Sequence, residues 1–157
     1  MVKGIGIDSV DIEEMRAMCD DFNNAFVRHT FTEKEVAQAL ERPDAASFLA
    51  GRFAAKEACF KALGHLTREG GFDFRKVETL HDKNGCPVIQ KNAALQPILE
   101  EAGVESLLVS ITNESGVATA IVLAQSSLLR CRASLVHCCV GRRGTHRFVR
   151  SFRKAGV

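Results

Sequence analysis

The chain has 157 residues, of which 46% are hydrophobic and 25% charged, with a formal net charge of +2. This length supports one domain with an appendage, and the hydrophobic fraction is sufficient for a packed core. No secretory pattern opens the sequence, and no segment approaches the roughly 18 consecutive apolar residues of a membrane span. We therefore expect a cytoplasmic protein without membrane contact, and its six cysteines are expected to be free thiols.

The charges divide the chain near Gln125. Residues 1–125 contain 13 basic and 19 acidic residues, whereas residues 126–157 contain 8 basic residues and no acidic ones. We predict a folded domain over 1–125 and a poorly ordered basic extension over 126–157. Alternatively, the extension supplies positive charge to an acidic protein or to nucleic acid. Its cysteines and histidines could also ligate zinc, although they lack the usual spaced cysteine pairs.

The N-terminal residues Met1 to Asp8 predict a short buried strand, because β-branched residues alternate with glycine. Gly4 and Gly6 indicate that another part of the molecule approaches this backbone closely. Asp8, at the end of the strand, could cap the helix that follows.

Helices are predicted to occupy the next part of the chain. The shorter ones are expected at residues 10–19, at 20–28 as an interrupted turn, and at 33–41 after a capping box of Thr32 and Glu35. The longest runs from Asp44, which can cap its N-terminus, to Gly64, which suits a left-handed residue at its C-terminus. No proline interrupts it.

Glu57 and Lys61 lie one turn apart on the longest predicted helix. A glutamate four residues before a lysine is a common surface ion pair, which stabilises a helix by only about 0.3–0.5 kcal/mol. Their spacing alone therefore favours a surface role, and a functional role depends on other parts of the sequence.

The C-terminal half of the domain predicts hairpins. A strand is expected over 74–82, an Asn-Gly turn at 84–85 and a returning strand from 87, followed by a helix over 92–102 and strands over 106–112 and 116–124. Asn113 to Ser115 would join the last two strands. Adjacent hairpins after a series of helices predict an α+β fold, an antiparallel sheet with helices packed on it.

Three stretches together resemble the holo-[acyl-carrier-protein] synthases, a family of 4′-phosphopantetheinyl transferases. They are GIGIDSVDIEEM at 4–15, FLAGRFAAKEACFKALG at 48–64 and VSITNESGVATAIV at 109–122. The segment FDFRKVETLHDKNGCPVI at 72–89 is also similar to the family. The resemblance covers residues 1 to about 125 and implies an enzyme that moves the phosphopantetheine arm of coenzyme A to a serine of apo-acyl carrier protein, releasing adenosine 3′,5′-bisphosphate.

The resemblance also implies the site residues. Asp8 and Glu57 match the family's two metal carboxylates, which implies bound Mg²⁺. Lys61 matches the lysine that contacts the phosphates of coenzyme A, and Glu57, or a water that it orients, would take the serine proton. Glu57 and Lys61 are therefore the expected catalytic residues.

Four more residues match positions that contact coenzyme A in the family, and each has a structural alternative. These residues are Arg52, Gly64, Pro87 and Asn113. Arg52 could instead pack in the core or form a local ion pair, and Gly64 could simply end its helix. Pro87 could only shape the hairpin, and Asn113 could be an ordinary turn residue.

The sequence departs from the family at two places. Asn113 stands where the family has a histidine, and an amide cannot accept a proton as imidazole does. The first helix, DIEEMRAMCDD, is acidic, with Arg16 as its only cation, whereas in the family it is basic. Docking of an acidic carrier there should be slower, although Arg28 and His29 could compensate.

The resemblance further implies a homotrimer with each active site between subunits, and a role in fatty acid biosynthesis. Two alternatives remain open at this point. The protein could be a non-catalytic relative that binds coenzyme A or a carrier protein, or its basic extension could be a nucleic-acid-binding arm.

Overall fold

The computed structural model of the protein describes residues 1–67 and 73–127. Within these ranges the chain forms five α-helices, one 3₁₀ turn and five strands. In chain order they are β1 (Val2–Asp11), α1 (Ile12–Met18), α2 (Ala25–Thr30), α3 (Glu33–Leu40), α4 (Ala45–Leu63), the 3₁₀ turn (Phe74–Lys76), β2 (Thr79–His81), β3 (Pro87–Ile89), α5 (Gln96–Ala102), β4 (Ser106–Glu114) and β5 (Val117–Gln125). The predictions for the basic extension, including the zinc and nucleic-acid alternatives, fall almost entirely outside these ranges. The division at Gln125 stays a prediction.

The strands form two antiparallel sheets. The larger sheet has the order β1-β5-β4, so the first and the last of the described strands pair with each other. The second sheet is the hairpin of β2 and β3. With α4 packed on β1 and β5, this arrangement confirms the α+β fold with an antiparallel sheet and packed helices.

Helix α4 lies directly against the backbone of β1. A Cβ atom at Gly6 would stand 1.9 Å from the carbonyl oxygen of Ala58, and one at Gly4 would stand 2.1 Å from that of Ala62. Both distances are far below van der Waals contact, so only glycine fits at these positions. The close approach expected from the two glycines is confirmed, and the approaching element is α4.

Two expectations about helix ends are wrong. Asp8 does not cap α1, because pairing with β5 extends β1 to Asp11, and it is the Asp11 carboxylate that accepts from the backbone N–H groups of Glu13 and Glu14. Gly64 is not left-handed, since its φ of −58° and ψ of −30° continue the helical conformation. Asp44 caps α4 as expected, by accepting from the backbone N–H of Ser47.

Other local patterns are largely confirmed. The capping box of Thr32 and Glu35 is present in full, and Gly85 and Gly103 have the positive φ that their turn and helix end require. The strand predicted over 74–82 is shorter than expected. Its first part is a 3₁₀ turn, because the Asp73 side chain caps residues 74–76.

Among residues 1–67 and 73–127, helix α4 covers one face of the larger sheet and no element covers the other. On the open face, the side chains of Ile5, Ile7 and Leu108 are 60%, 59% and 51% exposed. Ile121 and Leu123 of β5 lie between them, opposite Ile7 and Ile5 in the register. These five residues form an apolar surface, which we call the open sheet face. None of the described helices is long and apolar enough to cross a bilayer.

Candidate active site

Asp8 and Lys61 meet where β1 passes α4. Asp8 has the same strand parity as Gly4 and Gly6, so its side chain emerges on the side of β1 that faces the helix. Lys61 Nζ donates to Asp8 Oδ1 at 2.6 Å and to the backbone oxygen of Ile7 at 3.2 Å. The close backbone packing of β1 on α4 therefore brings two of the predicted site residues together.

Glu57 lies one turn before Lys61 and belongs to the same charged group. Burial raises the pKa of Glu57, the negative charge of Asp8 raises it further, and Lys61 lowers it. The hydrogen bond to Asp8 raises the pKa of Lys61. The ion pair of Lys61 is with Asp8 on the strand, so the surface pair of Glu57 and Lys61 expected from spacing is not the arrangement found.

The two carboxylates fit a divalent cation. Asp8 and Glu57 are close enough for the charge of one to raise the pKa of the other, and a cation between them would relieve that repulsion. Mg²⁺ is commonly held by one or two carboxylates, with substrate phosphates and waters as its other ligands. Residues 1–67 and 73–127 contain no cluster of three or more His, Cys, Asp or Glu suited to a metal, so a metal here would depend on such additional ligands.

Arg52 is buried with unused hydrogen-bond donors. The residue is 3% exposed, and its Nε and Nη2 atoms have no hydrogen-bond partner in the part of the chain that the structure describes. Its guanidinium lies 4.0 Å from the centre of the Phe48 ring, and burial lowers its pKa to about 10. Buried N–H groups normally have partners, so an anionic group that accepts from Arg52 would complete this site.

Arg42 and His81 adjoin the same phenylalanine and were missed by sequence reasoning. The Arg42 guanidinium lies 5.6 Å from the Phe48 ring centre, and the His81 ring packs edge-on at 5.3 Å. Arg42 Nη2 and His81 Nδ1 are 2.9 Å apart. Burial and the two nearby arginines lower the pKa of His81. Pro87 is paired directly opposite His81 in the hairpin, and thus lies at the border of this basic cluster.

Asn113 is a strand residue of β4 and not part of the turn, which is formed by Ser115 and Gly116 with positive φ. Its Nδ2 donates to the Oγ and the backbone oxygen of Ser47, at 2.8 and 3.1 Å. Ser47 precedes Phe48 in the first turn of α4. The hydrogen bonds therefore hold Asn113 at the same end of the helix as Arg52.

The predicted site residues thus form two groups on α4. Asp8, Glu57 and Lys61 make up the first, with Gly64 at the end of the helix, and Arg52 and Pro87 make up the second. Asn113 belongs to neither group, since Ser47, to which it donates, is itself five positions from Arg52. Arg52 and Glu57 are five positions apart, which places them about 140° apart around an ideal helix. Arg52 and Glu57 therefore lie on different sides of α4.

Arg16, the only basic residue predicted for the first helix, is already in an ion pair. Arg16 donates to both carboxylate oxygens of Asp44, at 3.1 and 3.0 Å, and thereby lowers the pKa of Asp44. Glu13 and Glu14 occupy the first turn of the same helix. The surface of α1 is consequently more acidic than its composition suggests.

Comparison with known proteins assigns the family. The model of the 4′-phosphopantetheinyl transferase superfamily matches residues 4–122. The holo-[acyl-carrier-protein] synthase of Clostridium acetobutylicum is 34% identical over 124 residues, covering 78% of this chain and 98% of that protein. The synthase of Protochlamydia amoebophila is 37% identical over 127 residues, covering 80% and 100%.

Solved structures give the same result. The crystal structure of holo-[acyl-carrier-protein] synthase from Neisseria meningitidis is similar with a TM-score of 0.70 and 32% identity, over 80% of this chain and all of that one. The Helicobacter pylori synthase, solved in complex with coenzyme A, has a TM-score of 0.65 and 26% identity, over 77% and 99%.

The chain belongs to the 4′-phosphopantetheinyl transferase superfamily. Within that superfamily it is similar to the holo-[acyl-carrier-protein] synthases over almost their whole length. The resemblance carried by its three motifs is confirmed.

Proposed function

We propose that this protein transfers the 4′-phosphopantetheine arm of coenzyme A to a serine of apo-acyl carrier protein in the cytoplasm, with Mg²⁺ as cofactor and fatty acid biosynthesis as its context. The observation that supports this most directly is the grouping of Asp8, Glu57 and Lys61 where β1 crosses α4. Two carboxylates and an ammonium group are suited to a metal-bound diphosphate. Adenosine 3′,5′-bisphosphate is the second product.

Asp8 and Glu57 would hold Mg²⁺, which when bound neutralises charge on the diphosphate of coenzyme A. Lys61 is half exposed, and its long flexible side chain can exchange the Asp8 carboxylate for a phosphate oxygen. An ammonium group serves this role as a mobile point charge. The transfer then depends chiefly on position and charge stabilisation.

Glu57 would take the proton of the carrier serine, directly or through a water that it orients. Asn113 cannot share this role, since an amide does not accept a proton at neutral pH. Glu57 is accordingly the only general base that we assign.

The second group would bind other parts of coenzyme A. Arg52 offers two unpaired N–H groups to an anion, and Pro87 would contact the cofactor from the hairpin. The Asn113 amide would hydrogen-bond a phosphate or ribose oxygen. Gly64, beside Lys61 at the end of α4, would let coenzyme A pass close to the backbone.

We further propose that the active enzyme is a homotrimer, with each site formed between neighbouring copies. The two groups of site residues lie on different sides of α4, so the first group of one copy can meet the second group of the next. The open sheet face, with Ile5, Ile7 and Leu108 more than half exposed, is a surface that such an assembly would bury.

Replacing Ile7 with Asp should give a folded monomer that no longer transfers phosphopantetheine. Burying a carboxylate from each copy in an apolar interface costs more free energy than the contact between copies provides. On a single copy the same carboxylate stays in water, so the fold is not affected. Light scattering and the transfer assay measure both effects. Leu40→Asp changes an equally exposed residue on α3, 61% exposed, and should keep assembly and activity. A trimeric, active Ile7→Asp protein would contradict the proposed interface.

The transfer itself is tested by intact-mass spectrometry. Purified protein, coenzyme A, Mg²⁺ and apo-acyl carrier protein should yield a carrier heavier by one phosphopantetheine group, and the carrier whose serine is replaced by alanine should stay unchanged. Parallel reactions with carriers of fatty acid, polyketide and peptide synthesis identify the one that is served. The absence of any mass shift with all three would refute the proposed transfer.

A non-catalytic relative that binds coenzyme A or a carrier is the second candidate. It is favoured by Asn113 in place of the family's histidine and by the acidic α1, in which Arg16 is paired with Asp44. In this case calorimetry would detect coenzyme A binding while the mass of every carrier stayed the same.

A further inference from the structure

Glu35 of α3 and Lys56 of α4 form an ion pair in which neither side chain is exposed. Lys56 Nζ is 2.8 Å from Glu35 Oε2, and both side chains have an exposure of 0%. Lys56 is adjacent in sequence to Glu57 but points into the core. The transfer chemistry makes no use of this pair.

The ion pair is hydrogen-bonded to the backbone that runs from the 3₁₀ turn to the first residue of β2. Lys56 Nζ also donates to the backbone oxygens of Phe74 and Val77, at 2.9 and 2.5 Å. Glu35 Oε1 accepts from the backbone N–H of Thr79 at 2.9 Å. The three hydrogens of the ammonium group are thereby all used, and the path of the backbone from 74 to 79 is fixed.

A second side chain of α3 is hydrogen-bonded to the backbone further along β2. Gln38 is one turn after Glu35, on the same face of the helix, and its Oε1 accepts from the backbone N–H of His81 at 3.2 Å. Side chains of α3 and α4 thus determine where β2 lies. His81 is the residue of β2 that packs on Phe48 beside Arg52.

The position of β2 sets the distance between the hairpin residues of the second group and Arg52. His81 and its cross-strand partner Pro87 lie on the hairpin, whereas Arg52 lies on α4. A shift of the hairpin along α4 would change the separation between these residues without changing Asp8, Glu57 or Lys61, which lie on β1 and the other side of α4.

We propose that Glu35 and Lys56 are positioning residues for coenzyme A: they hold the β2–β3 hairpin at the separation from Arg52 that the cofactor requires. This inference rests on the proposed function. A buried ion pair adds little stability over an apolar pair of similar size, so its specific hydrogen bonds to the hairpin segment are its distinctive contribution.

The double variant Glu35→Gln/Lys56→Met tests the role. Glutamine keeps an oxygen for the Thr79 N–H and methionine keeps the volume of the lysine stem, so no buried charge is left alone. We expect the KM for coenzyme A to rise about tenfold, because a small misplacement of binding groups weakens binding. The kcat at saturating coenzyme A and the KM for the carrier should stay within about twofold. Glu33→Gln, which removes an exposed carboxylate from the same helix, is the matched control and should change neither constant.

An unchanged KM for coenzyme A in the folded double variant overturns the proposal, as does an equal loss of kcat with unchanged KM. If the double variant does not fold, Gln38→Leu decides, since it removes only the hydrogen bond to His81 and should raise the same KM by a smaller factor. Calorimetric titration of coenzyme A into each variant measures the effect without turnover. A wild-type protein that binds coenzyme A but transfers nothing would therefore refute the transfer while still testing the inference.

Discussion

The Glu57→Gln protein should transfer phosphopantetheine about a thousandfold more slowly than wild type, with its fold intact. Glutamine keeps the shape of glutamate but loses the charge needed for the metal and the ability to take a proton, and general base catalysis alone is worth about 10²–10⁴ in rate. The raised pKa of Glu57 shows that its ionised form is disfavoured in the folded protein. A neutral amide should therefore leave the melting temperature unchanged or slightly higher.

The rate is measured by intact mass at saturating coenzyme A and Mg²⁺, and the fold by thermal melting. Calorimetry of Mg²⁺ in the presence of coenzyme A should show weaker metal binding in the same variant. Glu41→Gln, at an exposed position, is the control for loss of a carboxylate and should behave as wild type. Full activity of Glu57→Gln would exclude both roles that we assign to this side chain.

The Gly6→Ala protein should lose both stability and activity. The added methyl group would stand 1.9 Å from the carbonyl oxygen of Ala58 and 2.8 Å from the backbone nitrogen of Ala62, and backbone atoms of a buried helix cannot move aside cheaply. Overpacking of this kind costs about 1–3 kcal/mol of unfolding free energy. Because α4 must move away from β1, Asp8 would separate from Glu57 and Lys61, and we expect transfer to fall about a hundredfold.

Chemical denaturation measures the first effect and the transfer assay, below the melting temperature, the second. Lys3→Ala is the control, since it leaves an alanine at an exposed position of the same strand, where the methyl group meets no backbone of α4. A Gly6→Ala protein as stable and active as wild type would show that the contact of β1 with α4 does not set the geometry of the site.

Local signals were sufficient to predict most of the fold. The Thr32 capping box, the Asp44 cap and the Asn-Gly turn each depend on a few neighbouring residues, and each forms as expected. The end of β1 could not be obtained in this way. Its last residues are held by pairing with β5, in which Ser9 lies opposite Thr119, and 110 residues of chain separate these partners.

The site was predictable only in part, for the same reason. Asp8, Glu57 and Lys61 were found because they lie within motifs of the family. Arg42 lies outside the segments that resemble the family, and His81 lies in one of them without matching a site residue. The two are 39 positions apart, so no pattern in the sequence connects them. Nor could spacing reveal that Lys61 pairs with a residue of β1, since that contact depends on how strand and helix pack.

The glycine contact between β1 and α4 has a consequence for how this enzyme can vary. Since main-chain atoms of strand and helix touch directly at Gly4 and Gly6, the alignment of the charged groups does not depend on the size or rotamer of any side chain between them. Apolar residues of the surrounding core can therefore be replaced by other apolar residues without changing the distances between Asp8, Glu57 and Lys61. Gly4 and Gly6 are the exceptions, because any side chain at these positions would push β1 and α4 apart.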